Sequence, residues 1–123
     1  MRRLLLLALL AMPLSLAVTN AASAQGRQDF TLVNRTGYQI NELYIGPSSS
    51  DNWGEDLMPR SVLPDRAALD ITFSRRSAGC LWDIRVVYAD GDDAEFEQVN
   101  LCRLTRLTLF WNRQAGETRF VAE

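Results

Sequence analysis

Residues 80–102 read CLWDIRVVYADGDDAEFEQVNLC and decide the fold of this chain. Apolar and polar side chains alternate on both sides of an Asp-Gly-Asp turn over 90–92, which is the pattern of two antiparallel strands joined by a tight loop. We therefore predict a hairpin with strands over 80–89 and 93–102. One face of it carries Cys80, Trp82, Ile84, Val86, Tyr88, Phe96 and Cys102, and the other carries Asp83, Arg85, Glu95 and Glu97.

The loop length sets the register of this hairpin. A three-residue loop over 90–92 places Cys80 opposite Cys102 and Arg85 opposite Glu97, which is a favourable cross-strand charge pair. A two-residue loop would instead turn two glutamates onto the apolar face, where unpaired charges are costly. We therefore predict a structural Cys80–Cys102 disulfide, worth about 3 kcal/mol in the chain-entropy model. The alternative, a catalytic thiol, lacks the Cys-x-x-Cys or Cys-His context that such thiols need.

Residues 1–24 have the pattern of a secretory signal peptide. Two arginines open the segment, an apolar run over 4–18 follows, and Ala22-Ser23-Ala24 provides a small-residue cleavage site. The apolar run is too short for a comfortable membrane span. We expect cleavage after Ala24, a single mature domain over 25–123 without a membrane span, and a periplasmic or secreted location.

The composition excludes several classes of function. All 13 basic residues are arginines and the chain has no histidine. Without residues 1–24, 11 arginines face 15 acidic residues, so no basic field is available for nucleic acid or an anionic membrane surface. The missing histidine and lysine remove the Ser-His-Asp, Cys-His and Ser-Lys arrangements as well as zinc sites built from cysteine and histidine. We therefore expect a protein that is not an enzyme and needs no cofactor.

Short segments bounded by turn residues fill the rest of the mature chain. The segment over 38–45 shows a phase slip that predicts a bulge near Asn41 or Glu42. The segment over 104–111 is apolar on both faces, which favours a central strand over the alternative, a strand with an exposed face that docks a partner. Seven short strands predict an all-β fold, a single antiparallel β-sandwich or flattened barrel with one cross-strand disulfide. Besides the hairpin, the predicted strands cover 29–34, 38–45, 67–73, 104–111 and 118–122.

Short motifs follow one another along the mature chain: Phe30-x-Leu32-x-Asn34-x-Thr36-Gly37, Ile40 with Leu43-Tyr44, Trp53-Gly54-x-Asp56-Leu57, Cys80-x-x-Asp83, Asp90-Gly91 and Val99-Asn100-Leu101-Cys102. Their order resembles a group of small exported bacterial all-β proteins of unassigned function. The resemblance covers most of the mature chain, implies a periplasmic or secreted β domain, and carries over no catalytic residue. It also implies a glycine in the turn before the third strand, where this chain has Pro64-Asp65-Arg66.

A long loop over 47–64 is the first candidate for a binding site. Long loops on rigid β scaffolds often bind ligands, and this one carries Asp51, Trp53, Glu55 and Asp56. An exposed Trp53 suits a sugar ring or a protein partner, whereas a buried Trp53 would plug the open end of the sandwich. The sequence thus favours a non-catalytic interaction module of the bacterial cell envelope that binds a protein or a glycan through this loop.

Two alternative functions use carboxylates. Clustered oxygens of Asp90, Asp92 and Asp93 could bind calcium and make the chain a calcium-stabilised structural domain. The turn does not match the EF-hand loop, and a solvated hairpin turn demands the same residue types. A small carboxylate-dependent hydrolase is the second alternative. It needs two acidic groups that face each other across a cleft, for which a domain of this size has little room.

Overall fold

The computed structural model describes residues 26–123. The predicted signal peptide over 1–24 lies outside these residues. Seven strands make up most of the described chain, which confirms the predicted all-β fold class. The strands are β1 (Phe30–Arg35), β2 (Ile40–Pro47), β3 (Ala68–Ile71), β4 (Leu81–Tyr88), β5 (Asp93–Asn100), β6 (Arg106–Asn112) and β7 (Glu117–Ala122), and one turn of 3-10 helix covers Leu101–Arg103.

The strands form two sheets with one core between them. The larger sheet has the order β3-β1-β6-β7 and the smaller one has the order β2-β4-β5. Neighbouring strands are antiparallel except β1 and β6, which run parallel. Neither sheet closes into a barrel within residues 26–123, so the sandwich is the correct alternative. Strand β6 lies between β1 and β7, which confirms the prediction of a central strand there.

The core is built from alternate side chains of the strands, because successive side chains of a strand point to opposite faces. Both sheets contribute leucine, isoleucine or valine side chains with no exposed surface, and burial of such side chains is the main stabilising term of the fold. Within the described chain, the fully buried apolar residues are Leu32, Ile40, Leu43, Ile84, Val86, Leu101, Leu107 and Leu109.

The turn of the β4–β5 hairpin lies one residue earlier than predicted. Tyr88 N donates to Asp92 O at 2.7 Å and Gly91 N donates to Tyr88 O at 3.0 Å, so the three loop residues are 89–91. Gly91 has a φ of 92° and occupies the last loop position, where this hairpin type requires a left-handed residue. The predicted register is therefore wrong by two residues, and Arg85 lies opposite Glu95 instead of Glu97.

A bulge in β5 shifts the register again. Trp82 pairs with Val99 and Ile84 pairs with Phe96, so Asp83 faces two residues of β5. One of them, Gln98, has a φ of 54°, and its N–H donates to Asp83 Oδ1 at 2.9 Å. Because of this extra residue, the side chains of β5 after the bulge point to the opposite face from the one that regular alternation would give. Phe96 and Val99 thereby point to the same core although they are an odd number of residues apart.

The predicted disulfide is present, but its two cysteines are not directly opposite each other. Leu101 N donates to Cys80 O at 2.9 Å, so Leu101 is the residue that faces Cys80. The 3-10 turn that begins at Leu101 then brings Cys102 back to Cys80, with 5.3 Å between the two Cα atoms. The bond ties the end of the hairpin that lies opposite its turn.

Two further backbone irregularities lie at positions that the sequence singled out. The register of β2 shifts between Ile40 and Glu42, which confirms the predicted bulge. In the turn before β3, Arg66 has a φ of 69°, at a position where the resemblance implied glycine. Arg66 N donates to Asn34 O at 2.6 Å, so the turn depends on this left-handed residue. An L-residue pays about 1–2 kcal/mol for that conformation.

Replacing Gln98 or Arg66 by glycine should stabilise the protein. Glycine adopts a positive φ without steric cost, so we expect each variant to raise the free energy of unfolding by about 0.5–1 kcal/mol. The measurement is urea denaturation of the oxidised protein. Gln98→Val is the matched control, because valine suits a regular strand and not a left-handed bulge. If Gln98→Val stabilised the protein and Gln98→Gly destabilised it, the left-handed conformation of Gln98 in the β5 bulge would be contradicted.

Candidate functional site

The loop after β2 is fastened to the edge of the smaller sheet. Asp56 Oδ1 accepts hydrogen bonds from Leu43 N at 3.0 Å and Met58 N at 2.9 Å. Leu57 N donates to Leu43 O at 2.8 Å, and Leu63 exchanges two backbone hydrogen bonds with β2 further along. The loop thus covers an edge that would otherwise present unpaired N–H and C=O groups. Asp56, predicted as a ligand-binding residue, holds this backbone in place.

The other predicted loop residues are only partly brought together. Trp53 is half-buried and lies outside the hydrophobic core, so it is neither a plug nor a freely exposed ring. A Cβ on Gly46 would lie 2.8 Å from Asn52 O, which shows how closely the loop backbone approaches β2 here. Trp53 and Asp51 line a recess of about 180 Å³. Glu55 is exposed and is not part of that recess.

A larger concavity lies where three turns meet at one end of the sandwich. The turns before β2, between β4 and β5, and between β6 and β7 surround a cleft of about 770 Å³. We call it the aromatic cleft. Its lining includes three aromatic rings, five carboxylates and no arginine. The aromatic side chains are Tyr38, Tyr88 and Trp111, and the acidic ones are Asp90, Asp92, Asp93, Glu95 and Glu117.

The three rings contact one another edge to face. Tyr38 lies 6.3 Å from Tyr88 and 5.9 Å from Trp111, measured between ring centroids. Tyr38 is 55% exposed, Trp111 is half-buried and Tyr88 is buried. Tyr38 therefore offers most of the accessible aromatic surface. Such rings suit the apolar faces of sugars, the side chains of a protein partner, or cations.

A buried amide positions Tyr38. The Asn34 side chain has no exposed surface, and its Nδ2 donates to Tyr38 O at 2.8 Å and to Leu63 O at 3.0 Å. Its Oδ1 accepts hydrogen bonds from Thr36 N and from Thr36 Oγ1. Gly37 N donates to Asp65 Oδ1 at 2.9 Å. These bonds hold the turn that carries Tyr38, so the ring projects from a rigid support.

Tyr88 joins the two sheets at the floor of the cleft. Its hydroxyl lies 2.5 Å from Thr118 Oγ1, so a strand of the smaller sheet is hydrogen-bonded to one of the larger sheet. Burial raises the pKa of Tyr88, and the hydrogen bond with Thr118 opposes this only in part. The fold therefore stabilises the neutral phenol, which keeps a proton for hydrogen bonding.

The rim of the cleft is acidic. Arg85 Nε lies 3.1 Å from Asp93 Oδ2 and 3.7 Å from Glu95 Oε1, and Arg119 lies 3.3 Å from Glu117. Five carboxylates line the cleft, whereas only two arginines pair with them, and neither of these arginines lines the cleft. Because the rim is exposed, these ion pairs contribute little to stability. The uncompensated charge gives the cleft a negative potential.

The predicted calcium ligands Asp90, Asp92 and Asp93 lie on this rim, and the carboxylates of Asp90 and Asp93 contact other protein groups. Asp90 Oδ1 accepts a hydrogen bond from Asp92 N at 2.9 Å, and Asp93 pairs with Arg85. Within residues 26–123, no three acidic, cysteine or histidine side chains form a group that could hold a metal ion. The Asp90 turn has the hydrogen bonding expected of a hairpin loop rich in Asp and Gly.

Sequence reasoning missed the aromatic residues of the cleft. From sequence, Tyr38 and Trp111 belong to predicted strands and Tyr88 to the apolar face of the hairpin, with no sign that the three form a site. Each lies next to a turn, which was the available signal. A residue next to a turn predicts a shared site only once the topology shows that all three turns lie at the same end of the sandwich.

Comparisons with known proteins support the fold. No protein-family model and no curated protein matches this chain. It is similar to the NMR structure of a protein from Eubacterium rectale, with a TM-score of 0.56 over 83% of this chain and 91% of that chain. The two sequences are 11% identical, so the likeness concerns the fold alone. Within residues 26–123, no helix is long and apolar enough to cross a membrane.

Asp56→Ala should destabilise the protein by about 2 kcal/mol, because it removes a charged acceptor from two backbone N–H groups. Asp51→Ala is the matched control. Its side chain is exposed, so we expect a change within about 0.5 kcal/mol. Thermal or urea denaturation of the oxidised proteins provides the comparison. Equal stability of the two variants would show that Asp56 does not anchor the loop.

Proposed function

We propose that this chain is a non-catalytic, exported binding domain of the bacterial cell envelope, and that a protein or glycan ligand occupies the aromatic cleft. The observation that carries the proposal is a cleft of about 770 Å³ lined by three aromatic side chains. Ligand sites in proteins have volumes of roughly 300–1,000 Å³ and combine apolar walls with a few polar groups. Turns on a rigid β scaffold are the usual location of such sites.

The chemistry of the chain supports binding rather than catalysis. The sequence contains neither histidine nor lysine, the residues that most often supply a general base or an amine nucleophile. The hydroxyl of Tyr88 is hydrogen-bonded to Thr118, and burial raises the pKa of Tyr88, so the group stays a protonated phenol and no phenolate is supplied as a base. A carboxylate-dependent hydrolase would need none of these residues, and five carboxylates line a cleft larger than the sequence led us to expect, so this hydrolase stays the alternative function.

Two observations support export. The Cys80–Cys102 disulfide is typical of proteins that mature in an oxidising compartment. The sequence of residues 1–24 has the basic, apolar and small-residue regions of a signal peptide. A periplasmic or secreted protein would present the aromatic cleft to envelope proteins and surface glycans.

The cleft is a better candidate than the 47–64 loop. Asp56 accepts hydrogen bonds from two backbone N–H groups, and Glu55 does not line the recess beside Trp53. That recess, at about 180 Å³, is below the usual size of a ligand site. The aromatic cleft offers more room and more accessible aromatic surface.

Tyr38→Ala should weaken ligand binding strongly while the fold remains intact. Tyr38 is more than half exposed, so we expect a loss of stability of no more than about 1 kcal/mol and a loss of affinity of at least tenfold. The measurement is binding of the oxidised protein to a glycan array and to immobilised envelope proteins, with and without calcium. Tyr44→Ala is the matched control, because Tyr44 lies in β2 and does not line the cleft.

Other outcomes would assign the function elsewhere. If Trp53→Ala removed binding and Tyr38→Ala did not, the loop would be the binding site. A rise in melting temperature on addition of calcium, lost in Asp90→Asn, would favour the calcium-stabilised domain, because a ligand stabilises the state that it binds. Hydrolysis of a glycan on the array would contradict the non-catalytic assignment.

A further inference from the structure

We infer that the occupant of the aromatic cleft is a cationic side chain, arginine or lysine, presented by a segment of a partner protein. This inference rests on the proposed function, because it names the ligand chemistry of the same cleft. Three features of the described chain support it: the charge of the rim, the aromatic walls, and a second site in the protein that already holds an arginine.

The charge of the rim determines whether a positively or a negatively charged ligand is favoured. Five carboxylates line the cleft and no arginine does, while Arg85 and Arg119 neutralise part of the charge from outside the lining. The remaining negative potential attracts cations and repels phosphate- or carboxylate-bearing ligands. Anionic surface glycans and nucleic acids are therefore disfavoured. A positively charged ligand gains most from Asp90 and Asp92, which lie outside the ion pairs of Arg85 and Arg119.

The aromatic walls select the kind of cation. The electron-rich face of a tyrosine or tryptophan ring attracts a guanidinium or ammonium group, with a contribution of roughly 0.5–2 kcal/mol. Tyr38 and Trp111 supply two such rings in contact with each other. A hydrated metal ion would gain little from these rings, whereas an arginine or lysine stem also packs its methylene groups against them.

The environment of Arg85 shows the same recognition within this protein. Its guanidinium lies 5.7 Å from the centroid of the Tyr44 ring and contacts the carboxylates of Asp93 and Glu95. One aromatic ring and two carboxylates thus hold one arginine on this face of the smaller sheet. The aromatic cleft places tyrosine, tryptophan and carboxylates together without an arginine of its own among the lining residues. A basic side chain of a partner would supply the missing cation.

The test uses synthetic peptides of known charge. We would measure, by calorimetry, binding of the oxidised protein to a Gly-Arg repeat peptide, to the same peptide with citrulline in place of arginine, and to a neutral chitin oligosaccharide. Citrulline keeps the planar shape and removes the charge. We expect the arginine peptide to bind at least tenfold more tightly than the citrulline peptide, with an affinity that falls as salt increases.

Charge-matched variants locate the effect. The Asp90→Asn/Asp92→Asn double variant should weaken the arginine peptide at least tenfold, because it removes two charges from the rim. Asparagine at position 90 retains the oxygen that accepts from Asp92 N, so the turn is preserved. The Asp51→Asn/Asp70→Asn double variant removes two charges outside the cleft and should change the affinity less than twofold.

The failures of the two proposals are distinguishable. If the oligosaccharide or the citrulline peptide bound as tightly as the arginine peptide, and Tyr38→Ala abolished that binding, the cleft would be a binding site for a neutral ligand. Equal effects of the two Asp-to-Asn double variants would mean that net charge alone attracts the peptide, which also overturns the inference. If the wild-type protein bound no peptide, the cationic occupant would be excluded. The Tyr38→Ala test on envelope ligands would still decide whether the cleft binds anything.

Discussion

The contact between Asp83 and Gln98 is the constraint on which the rest of the hairpin depends. Gln98 adopts a left-handed conformation inside β5, and the Asp83 carboxylate accepts its N–H at 2.9 Å. Asp83 also accepts the hydroxyl of Ser48 at 2.7 Å and so ties β4 to the segment after β2. Without the extra residue, either Phe96 or Val99 would point away from the core. The bulge lets both pack inside, at the cost of one strained backbone position.

The hairpin then determines where the two ends of the sandwich lie. At one end, the disulfide and the 3-10 turn close the strands. At the other end, the Ala89-Asp90-Gly91 turn lies beside the turn that carries Tyr38 and the end of β6 that carries Trp111. This second end is joined across the sheets by Tyr88 and Thr118, yet its rim remains open. One end of the sandwich thus serves stability, and the other has the room and the exposed groups for binding.

The roles of the residues in the aromatic cleft and in the 47–64 loop depend on neighbours that are distant in sequence. Turn formation alone explains the acidic residues of the Asp90 turn, since aspartate and glycine are common in such turns. These carboxylates form part of a candidate binding site only because Glu117 and the three aromatic rings, from other parts of the chain, lie beside them. The same holds for the 47–64 loop, whose Asp56 reads as a surface acid in sequence. In the structure it is the acceptor for two backbone N–H groups.

The sequence by itself determined the all-β class, the seven strands, the disulfide partners, the bulge in β2 and the buried face of β4. These features follow from local alternation and from the chemistry of turns, and a register error of two residues leaves them unchanged because side chains alternate with a period of two. Only the tertiary structure decided the register of β5, the parallel pairing of β1 with β6, and the cleft built from Tyr38, Tyr88 and Trp111. The position of the β4–β5 turn had one local signal, because Gly91 suits the left-handed last position of a three-residue loop over 89–91. The parallel pairing and the cleft depend on residues distant in sequence, whose approach is set by packing of the two sheets and leaves no local signature.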